Sequence, residues 1–341
     1  MVGVANGVAE RGKGAMGTVL KGVLIGLVMF VLLVAGGVGY IQYALPDVGP
    51  APEISVAATP ERIERGRYLA EHVMSCLGCH SDPMVDRAGH PPKRGREWLG
   101  GFRWGPEDGF PGTVYSKNLT PHNLGDWSDG EIFRAITVGV DRRGEPISLN
   151  MPYDLYAKAD PRDVEAVIAF LRTLPAVPTE TARAEYQFPV NLLVRAFPAE
   201  LPPGRRSAPE DGPAHGEYLT TLAACVHCHT RFEGGEYIGP EFAGGREFPM
   251  PGFGLVRSAN ITPDRDTGIG EWRRQDFIAR FKASSLAAAR TTKLRPGDAG
   301  TVMPWWEYAG MTERDLGAIY DFLMTLPPVR NEVVTFEPSA R

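Results

Sequence analysis

Cysteine is scarce in this chain, with four in 341 residues. They stand at positions 76, 79, 225 and 228, each in a pair separated by two residues, so no thiol is left over for another task. An excess of positive charge is also missing: 36 lysines and arginines face 41 aspartates and glutamates, for a formal net charge of -5. That balance lacks the basic footprint of a nucleic-acid binder and excludes nucleic acid as an expected partner. Residues 22–40 have no charged side chain at all. Glycine and proline are plentiful instead (40 and 30), which predicts long loops and turns between rather few helices. About 300 residues follow the uncharged stretch, enough for two domains of ordinary size.

Both cysteine pairs carry a histidine directly behind them, in SCLGCHSD from residue 75 and in CVHCH from residue 225. Two thiols at this spacing could form a disulfide, half of a zinc site or a redox motif. The histidine favours another chemistry. In Cys-x-x-Cys-His the thiols form thioethers to haem vinyl groups and the adjacent imidazole becomes the proximal iron ligand. Zinc ribbons also use two Cys-x-x-Cys pairs, but closer together and with no need of a histidine after each. The sequence therefore predicts two covalently bound haem c groups. Cys76 and Cys79 attach one, with His80 on its iron; Cys225 and Cys228 attach the other, with His229.

The uncharged run, GVLIGLVMFVLLVAGGVGY, is long enough as a helix to cover ~28 Å, close to the ~30 Å hydrocarbon thickness. Arg11, Lys13 and Lys21 precede it, so the positive-inside rule leaves the N-terminus in the cytoplasm. Tyr40 and Tyr43 suit the far interface. A cleaved signal peptide is the competing reading, but its apolar region is shorter and ends at a small-x-small site; SVAA at residues 55–58 lies too far downstream. The expectation is an uncleaved anchor in a bacterial inner membrane, with everything after it in the periplasm. Either reading delivers the export that haem c attachment requires.

The chain repeats itself. Gly66-Arg67-Tyr68-Leu69 precedes one haem motif and Gly216-Glu217-Tyr218-Leu219 the other. After the motifs come GTVYSKNLTP and GLVRSANITP, then segments containing Trp127 and Trp272, then Met151-Pro152 and Met303-Pro304, then FLRTLPAV and FLMTLPPV. The closing helices share one apolar stripe: Val164, Val167, Ile168, Leu171 and Leu174, matched by Leu316, Ile319, Tyr320, Leu323 and Leu326. Asp160 before Pro161 reads as an N-cap with proline at the first helical position, and Thr312 with Asp315 as a capping box. Residues 1–21 are thus expected in the cytoplasm, 22–43 as the span, 44–59 as a linker, 60–178 and 211–332 as the two haem domains, 179–210 as a second linker and 333–341 as a tail. The second linker holds an apolar island, VNLLVRAF (190–197), read as a connector packed along both domains or as a docking surface.

One histidine leaves the opposite face of each iron open, and what fills it separates electron transfer from chemistry. Met151 and Met303 occupy matching places, each before a proline that fixes the local backbone, and are the expected sixth ligands. Met250 precedes a proline too, but the first repeat has no counterpart to it. His72, His90, His122 and His215 also lack counterparts and read as exposed or locally bonded; His227 lies inside a haem motif. Asn118 and Asn260 are expected to brace the turn that crosses the haem, Trp127 and Trp272 to be structural, and Tyr153 and Trp305 to line haem edges.

The combination of CLGCH with CVHCH, NLTP with NITPDRDTGIGEW, and MPYDLY with MPWWEY resembles the cytochrome c subunits of membrane-bound periplasmic alcohol, aldehyde and gluconate dehydrogenases, over about residues 60–330. The resemblance implies a mainly α fold of two tandem class I cytochrome c domains, with His80 and Met151 on one iron and His229 and Met303 on the other. It implies an electron carrier between a dehydrogenase or quinol-side donor and a downstream cytochrome, quinone or oxidase; no residue is set for proton chemistry, so an enzyme is not expected. Those subunits commonly have three haem domains and a C-terminal membrane attachment, whereas this chain has two motifs and an N-terminal apolar run. The alternative from another class is a dihaem cytochrome c peroxidase-like enzyme with one open haem, against which the near-symmetry of the repeat argues. An enzyme with a cysteine axial ligand lacks the spare thiol it needs.

Overall fold

The structure, a computed structural model, describes residues 5–198 and 207–339, with side chains from residue 19 onward. Helix supplies most of the regular structure. Helix α1 (Ala5–Ala44) is the one described helix long and apolar enough to cross a membrane. Its side chains from Val19 to Val38 are all exposed, Leu33 to 71 %. In water such a surface is unfavourable by roughly 25 cal/mol per Å² of apolar area, so it calls for an apolar surrounding.

The chain then runs along the first half of the protein. The Val56 N–H donates to Asp129 Oδ2 at 2.8 Å, and the Pro52 carbonyl sits where a Cβ on Gly130 would be, 1.7 Å from it. Helix α2 (Pro60–Tyr68) starts from the Thr59 N-cap and continues as a turn of π-helix (Leu69–Val73) into the one-turn helix α3 (Cys76–Cys79). Strands β1 (Arg103–Trp104) and β2 (Gly112–Tyr115) pair antiparallel. The short helix α4 (Pro121–Leu124) and helix α5 (Asp129–Val138) follow, the latter closed by a Ser128–Glu131 capping box. Then come α6 (Tyr153–Tyr156), directly after Met151-Pro152, and the closing helix α7 (Pro161–Leu171). Strand β3 (Glu185–Tyr186) returns to pair with β2. The apolar island forms α8 (Val190–Leu193) and a 3-10 turn.

The second half repeats this plan. Helix α9 (Gly212–Leu222) leads into α10 (Cys225–Cys228), and a β4 (Phe232–Glu233)–β5 (Glu236–Tyr237) hairpin follows on the turn Gly234-Gly235. Strands β6 (Glu247–Met250) and β7 (Gly254–Arg257) pair, then come α11 (Arg274–Lys282), α12 (Leu286–Thr291), α13 (Trp305–Tyr308) and α14 (Glu313–Leu323). Strand β8 (Phe336–Pro338) adds to β7 as β3 adds to β2: Gly112 faces Tyr186, and Gly254 faces Pro338.

Within each half the first and last helices cross at a glycine. A Cβ on Gly66 would lie 1.8 Å from the Ala166 carbonyl oxygen, and one on Gly216 would lie 1.9 Å from that of Ala318. No side chain fits there. The apolar stripes of α7 and α14 face inward, with Val164, Val167, Ile168, Leu316 and Leu323 at most 2 % exposed. They join Leu69, Val73, Leu219 and Leu222 in a single core that runs through both halves.

The halves are also bonded crosswise. The Tyr68 hydroxyl, from α2, donates to Asp315 at the start of α14 and accepts from the Thr312 N–H at 3.1 Å. The Tyr218 hydroxyl, from α9, donates to Asp163 Oδ2 at 2.7 Å at the start of α7 and accepts from the Asp160 N–H at 3.1 Å. The expected capping box at Thr312 is therefore half built. Thr312 Oγ1 accepts from the Asp315 N–H at 3.1 Å, but the Asp315 carboxylate turns to Tyr68 and to His215 Nε2 (2.8 Å), and a tyrosine of the other half takes the cap's own N–H. Burial opposes ionisation of Asp315; the bonds from Tyr68 and His215 outweigh it and hold its pKa low.

Candidate haem-attachment sites

Each Cys-x-x-Cys-His turn begins on a residue in the left-handed region, Ser75 (φ 50) and Ala224 (φ 53). That kink breaks the preceding helix and swings the motif out of its axis. The motif is then held from the far side. The His80 carbonyl accepts from the Gly100 N–H at 2.9 Å and the His229 carbonyl from the Gly244 N–H at 2.7 Å. Gly100 (φ 69) and Gly244 (φ 77) lie so close to the segments that follow β2 and β7 that a Cβ would meet backbone at 2.5 Å in both. The bulky residues two positions earlier, Trp98 (φ 67) and Phe242 (φ 62), are left-handed as well. Each is pinned at its N–H, by Ser81 Oγ at 3.1 Å and by Thr230 Oγ1 at 3.2 Å. Matching strain in both halves marks a conformation the site needs.

The histidine settings agree as closely. His80 Nδ1 lies 2.8 Å from the Lys117 carbonyl oxygen, and His229 Nδ1 lies 2.7 Å from that of Ala259. A carbonyl only accepts, so Nδ1 bears the proton and Nε2 presents a lone pair. Both rings are walled in by protein yet keep accessible surface. Such a combination belongs to residues that line a cleft. Burial lowers the pKa of both imidazoles, which keeps them neutral and ready to ligate. Burial also pushes the Cys76 and Cys225 thiols up to about 12. All four thiols are free; as protonated thiols they are poor metal ligands. The Tyr308 hydroxyl donates to the Ala223 carbonyl at 2.9 Å and lies 3.4 Å from Ser75 Oγ, so it joins the residues just ahead of the two motifs. Among the described residues no three His, Cys, Asp or Glu side chains converge on a common metal-ion position. The donor set of each half thus fits a haem held by two thioethers and one imidazole.

The turns that follow both motifs are braced by asparagine. Asn118 Nδ2 donates to the Val177 carbonyl at 3.0 Å while its Oδ1 accepts from the Thr120 N–H at 2.8 Å; Asn260 makes the same pair with Val329 (2.7 Å) and Thr262 (3.0 Å). The loop that offers a carbonyl to each histidine is thereby tied to the end of the closing helix. Met151 and Met303 are both half-buried against the core, and their prolines share one backbone conformation, Pro152 at φ -81, ψ 54 and Pro304 at φ -81, ψ 62. Met151 is bonded locally, its N–H to the Ser148 carbonyl at 3.0 Å. Met303 is braced from the other half, where the Gly89 N–H donates to the Thr301 carbonyl at 2.7 Å and the Gly89 carbonyl accepts from Trp306 Nε1 at 2.8 Å.

The remaining candidates find other employment. Met250 is buried in a satellite cluster with Val256 and Leu294. His72 meets the Glu307 carbonyl at 3.1 Å, His122 stands 3.8 Å from Glu180, and His227 lies 3.2 Å from Asp154. His90 (φ 45) leans on Phe102. Trp127 packs on the core, whereas Trp272 keeps 37 % of its surface exposed. Tyr153 packs against Gly139, and the Arg280 guanidinium sits over the Trp305 ring, 4.3 Å from its centroid.

Sequence reasoning passed over Glu307. It is 1 % exposed, in α13, and its Oε2 accepts from Ser75 Oγ at 2.5 Å, directly ahead of Cys76. Its Oε1 has no hydrogen-bond partner and faces Gly78, whose Cβ would lie 2.2 Å away. Burial pushes its pKa up to about 7, against the pull of the Ser75 hydroxyl. The repeat held the signal: the equivalent position in the first half is Leu155.

No known protein-family profile matches the chain. Individual relatives do. It is 26 % identical to the cytochrome c subunit of alcohol dehydrogenase (quinone) from Gluconacetobacter polyoxogenes, over 84 % of this chain and 61 % of that protein. It is 26 % identical to the fructose dehydrogenase cytochrome subunit of Gluconobacter japonicus, over 86 % of this chain and 59 % of that one. With a dihaem c-type cytochrome of Cereibacter sphaeroides it shares 28 % identity, over 58 % of this chain and 66 % of the relative. The chain spans about six-tenths of the length of the two dehydrogenase subunits. By both its motifs and its overall similarity, this chain is a relative of dehydrogenase cytochrome c subunits and of a dihaem c-type cytochrome.

Proposed function

We propose that the protein is a membrane-anchored dihaem c-type cytochrome that relays single electrons between a dehydrogenase and a downstream cytochrome or oxidase. In this reading α1 spans the bacterial inner membrane with its N-terminus in the cytoplasm, and residues 60–178 and 211–332 are two class I cytochrome c domains in the periplasm. Cys76 and Cys79 hold one haem, with His80 and Met151 on its iron; Cys225 and Cys228 hold the other, with His229 and Met303. The observation that carries the reading is the duplicated histidine setting, in which a backbone carbonyl fixes the Nδ1 proton and leaves Nε2 as the ligand atom. The relatives support a dehydrogenase as donor.

Bound haem would supply reversible Fe(III)/Fe(II) exchange, and methionine together with histidine as its ligands would raise the potential. The chain's own residues do the rest. The thiols would fix each macrocycle, the carbonyls of Lys117 and Ala259 hold the imidazole rings, the Met-Pro turns would carry the sixth ligands, and the Tyr308 hydroxyl joins the residues just ahead of the two motifs. The near-identity of the halves weighs against a peroxidase with one open haem.

The ferric visible and EPR spectra of the purified full chain test this reading. Two low-spin centres with the Fe–S(Met) charge-transfer band are expected. A high-spin or water-ligated centre would overturn the relay and make peroxide the next reactant to add.

A further inference from the structure

The apolar island between the halves takes no part in either haem site, and its position says what covers it. Helix α8 and the following turn pack on the C-terminal end of α1, where the Arg195 Nε–H donates to the Leu45 carbonyl at 2.8 Å, one residue beyond that helix. Arg195 is the only charged residue in YQFPVNLLVRAFP (186–198), and Glu145 neutralises it at 2.6 Å. Val194 is buried, and Ile41, Leu45, Val190 and Leu192 are half-buried. Phe188, Leu193 and Phe197 nevertheless stay 78 %, 44 % and 54 % exposed, as do Tyr40 (62 %) and Tyr43 (89 %) near the end of α1. A segment of exposed apolar side chains is therefore packed on and bonded to one end of a single helix.

The depth of that end follows from helix geometry. The apolar part of α1, Val19–Ala44, has 26 residues and is ~39 Å long, against ~30 Å of hydrocarbon. With Lys21 at one interface, Tyr40 falls about 29 Å further along, at the other. Leu45 is then about 7 Å higher, at the level of the headgroups that bring the bilayer to ~40–45 Å. Whatever is bonded to the Leu45 carbonyl lies at that level too. Aromatic side chains are favoured there, because the ring buries while the polar backbone stays wet.

We propose that Phe188–Phe197 is a second membrane contact, its apolar side chains seated in the headgroup–acyl boundary of the bilayer that α1 crosses. The inference rests on the reading of α1 as a membrane span. A lone helix leaves the attached body free to rotate and tilt. A second contact beside it fixes which face of the haem-bearing part looks along the membrane and which looks away.

The test uses the full chain in vesicles of phosphatidylethanolamine and phosphatidylglycerol. The photo-crosslinking residue p-benzoyl-phenylalanine is placed, one site at a time, at Phe188, Phe197, Leu32 in the span, and Glu233 in β4 as a distant exposed control. After irradiation, lipid adducts are counted by mass spectrometry. The expected result is adducts at Leu32, Phe188 and Phe197, with yields at the two phenylalanine sites within roughly threefold of Leu32, as for side chains at the acyl boundary, and none at Glu233. Adducts at Leu32 but not at Phe188 or Phe197 would overturn the second contact while leaving the span intact, and would assign those side chains to a protein partner. Adducts at no site would overturn the span and the contact together.

Discussion

The two halves share a scaffold down to single hydrogen bonds, yet differ where each faces the other's haem motif. In the second half α13 sets Glu307 against Ser75 and Gly78, a buried carboxyl beside the first motif. In the first half the equivalent position is Leu155, 3 % exposed, and its neighbour Asp154 meets His227 of the second motif at 3.2 Å. One motif therefore has a carboxyl in a dry interior and the other a carboxylate at a wet rim, since Asp154 keeps 59 % of its side chain exposed. A duplicated fold keeps what shapes the site and varies what sets its electrostatics. In a two-site relay, that variation makes the two centres unequal.

Substitution in one half at a time breaks the comparison most sharply. Cys76→Ser with Cys79→Ser, or Cys225→Ser with Cys228→Ser, is expected to halve the covalent haem measured by pyridine haemochrome, and loss of both haems from either variant would refute independent attachment. Next in size are Gly66→Ala and Gly216→Ala, each forcing a Cβ to within 2 Å of a backbone oxygen. Both should cost more than about 3 kcal/mol and abolish folding at growth temperature; tolerance of either would refute the helix crossing.

Glu307 sharpens the comparison through pH. Its folded pKa of about 7 stands above the ~4.3 of an unfolded glutamate. Between those values the native protein holds a proton that the unfolded chain has released. The stabilisation is complete below about pH 4, and is lost as pH rises through 7, by on the order of 3 kcal/mol. Thermal melts should fall over that range in the native protein and run flatter in Glu307→Gln; equal slopes would exclude Glu307 as the source. The same substitution should raise the potential of the first centre alone, by on the order of tens of millivolts at pH 8, because a nearby negative charge favours Fe(III). The smallest effect expected is that of Tyr68→Phe and Tyr218→Phe, about 1–3 kcal/mol each. Their costs should match, and a large inequality would show that the crosswise bonds are not equivalent.

Much of this was legible in the sequence because the chain states it twice. The repeated stripes of α7 and α14 and the side-chain caps of Asp160 and Thr312 depend on residues close together in the chain; the Asn118 and Asn260 braces reach 59 and 69 positions, but their asparagines recur in matching motifs, and recurrence separates all of these from chance. What lay hidden depends on the partner half. No periodicity reveals that Asp315 answers Tyr68, or that Gly89 braces the Met303 turn, because those contacts join residues more than two hundred positions apart. Strands β3 and β8 were hidden for another reason: at two and three residues they are too short to carry an alternating pattern. Glu307 was visible as a break in the repeat, an acid where its twin has leucine, but a lone charge in an aromatic run reads as surface.

The crosswise tyrosines bear on how the protein comes apart. Each closing helix has the N–H of its N-cap satisfied only by a hydroxyl from the other half, and one core runs beneath both. Melting either half strips the other of a cap and opens half of its interior to water. Denaturation should therefore run as a single transition with equal calorimetric and van't Hoff enthalpies, and neither half should persist as a folded fragment. What the sequence writes as two beads on a string, the folded chain makes indivisible.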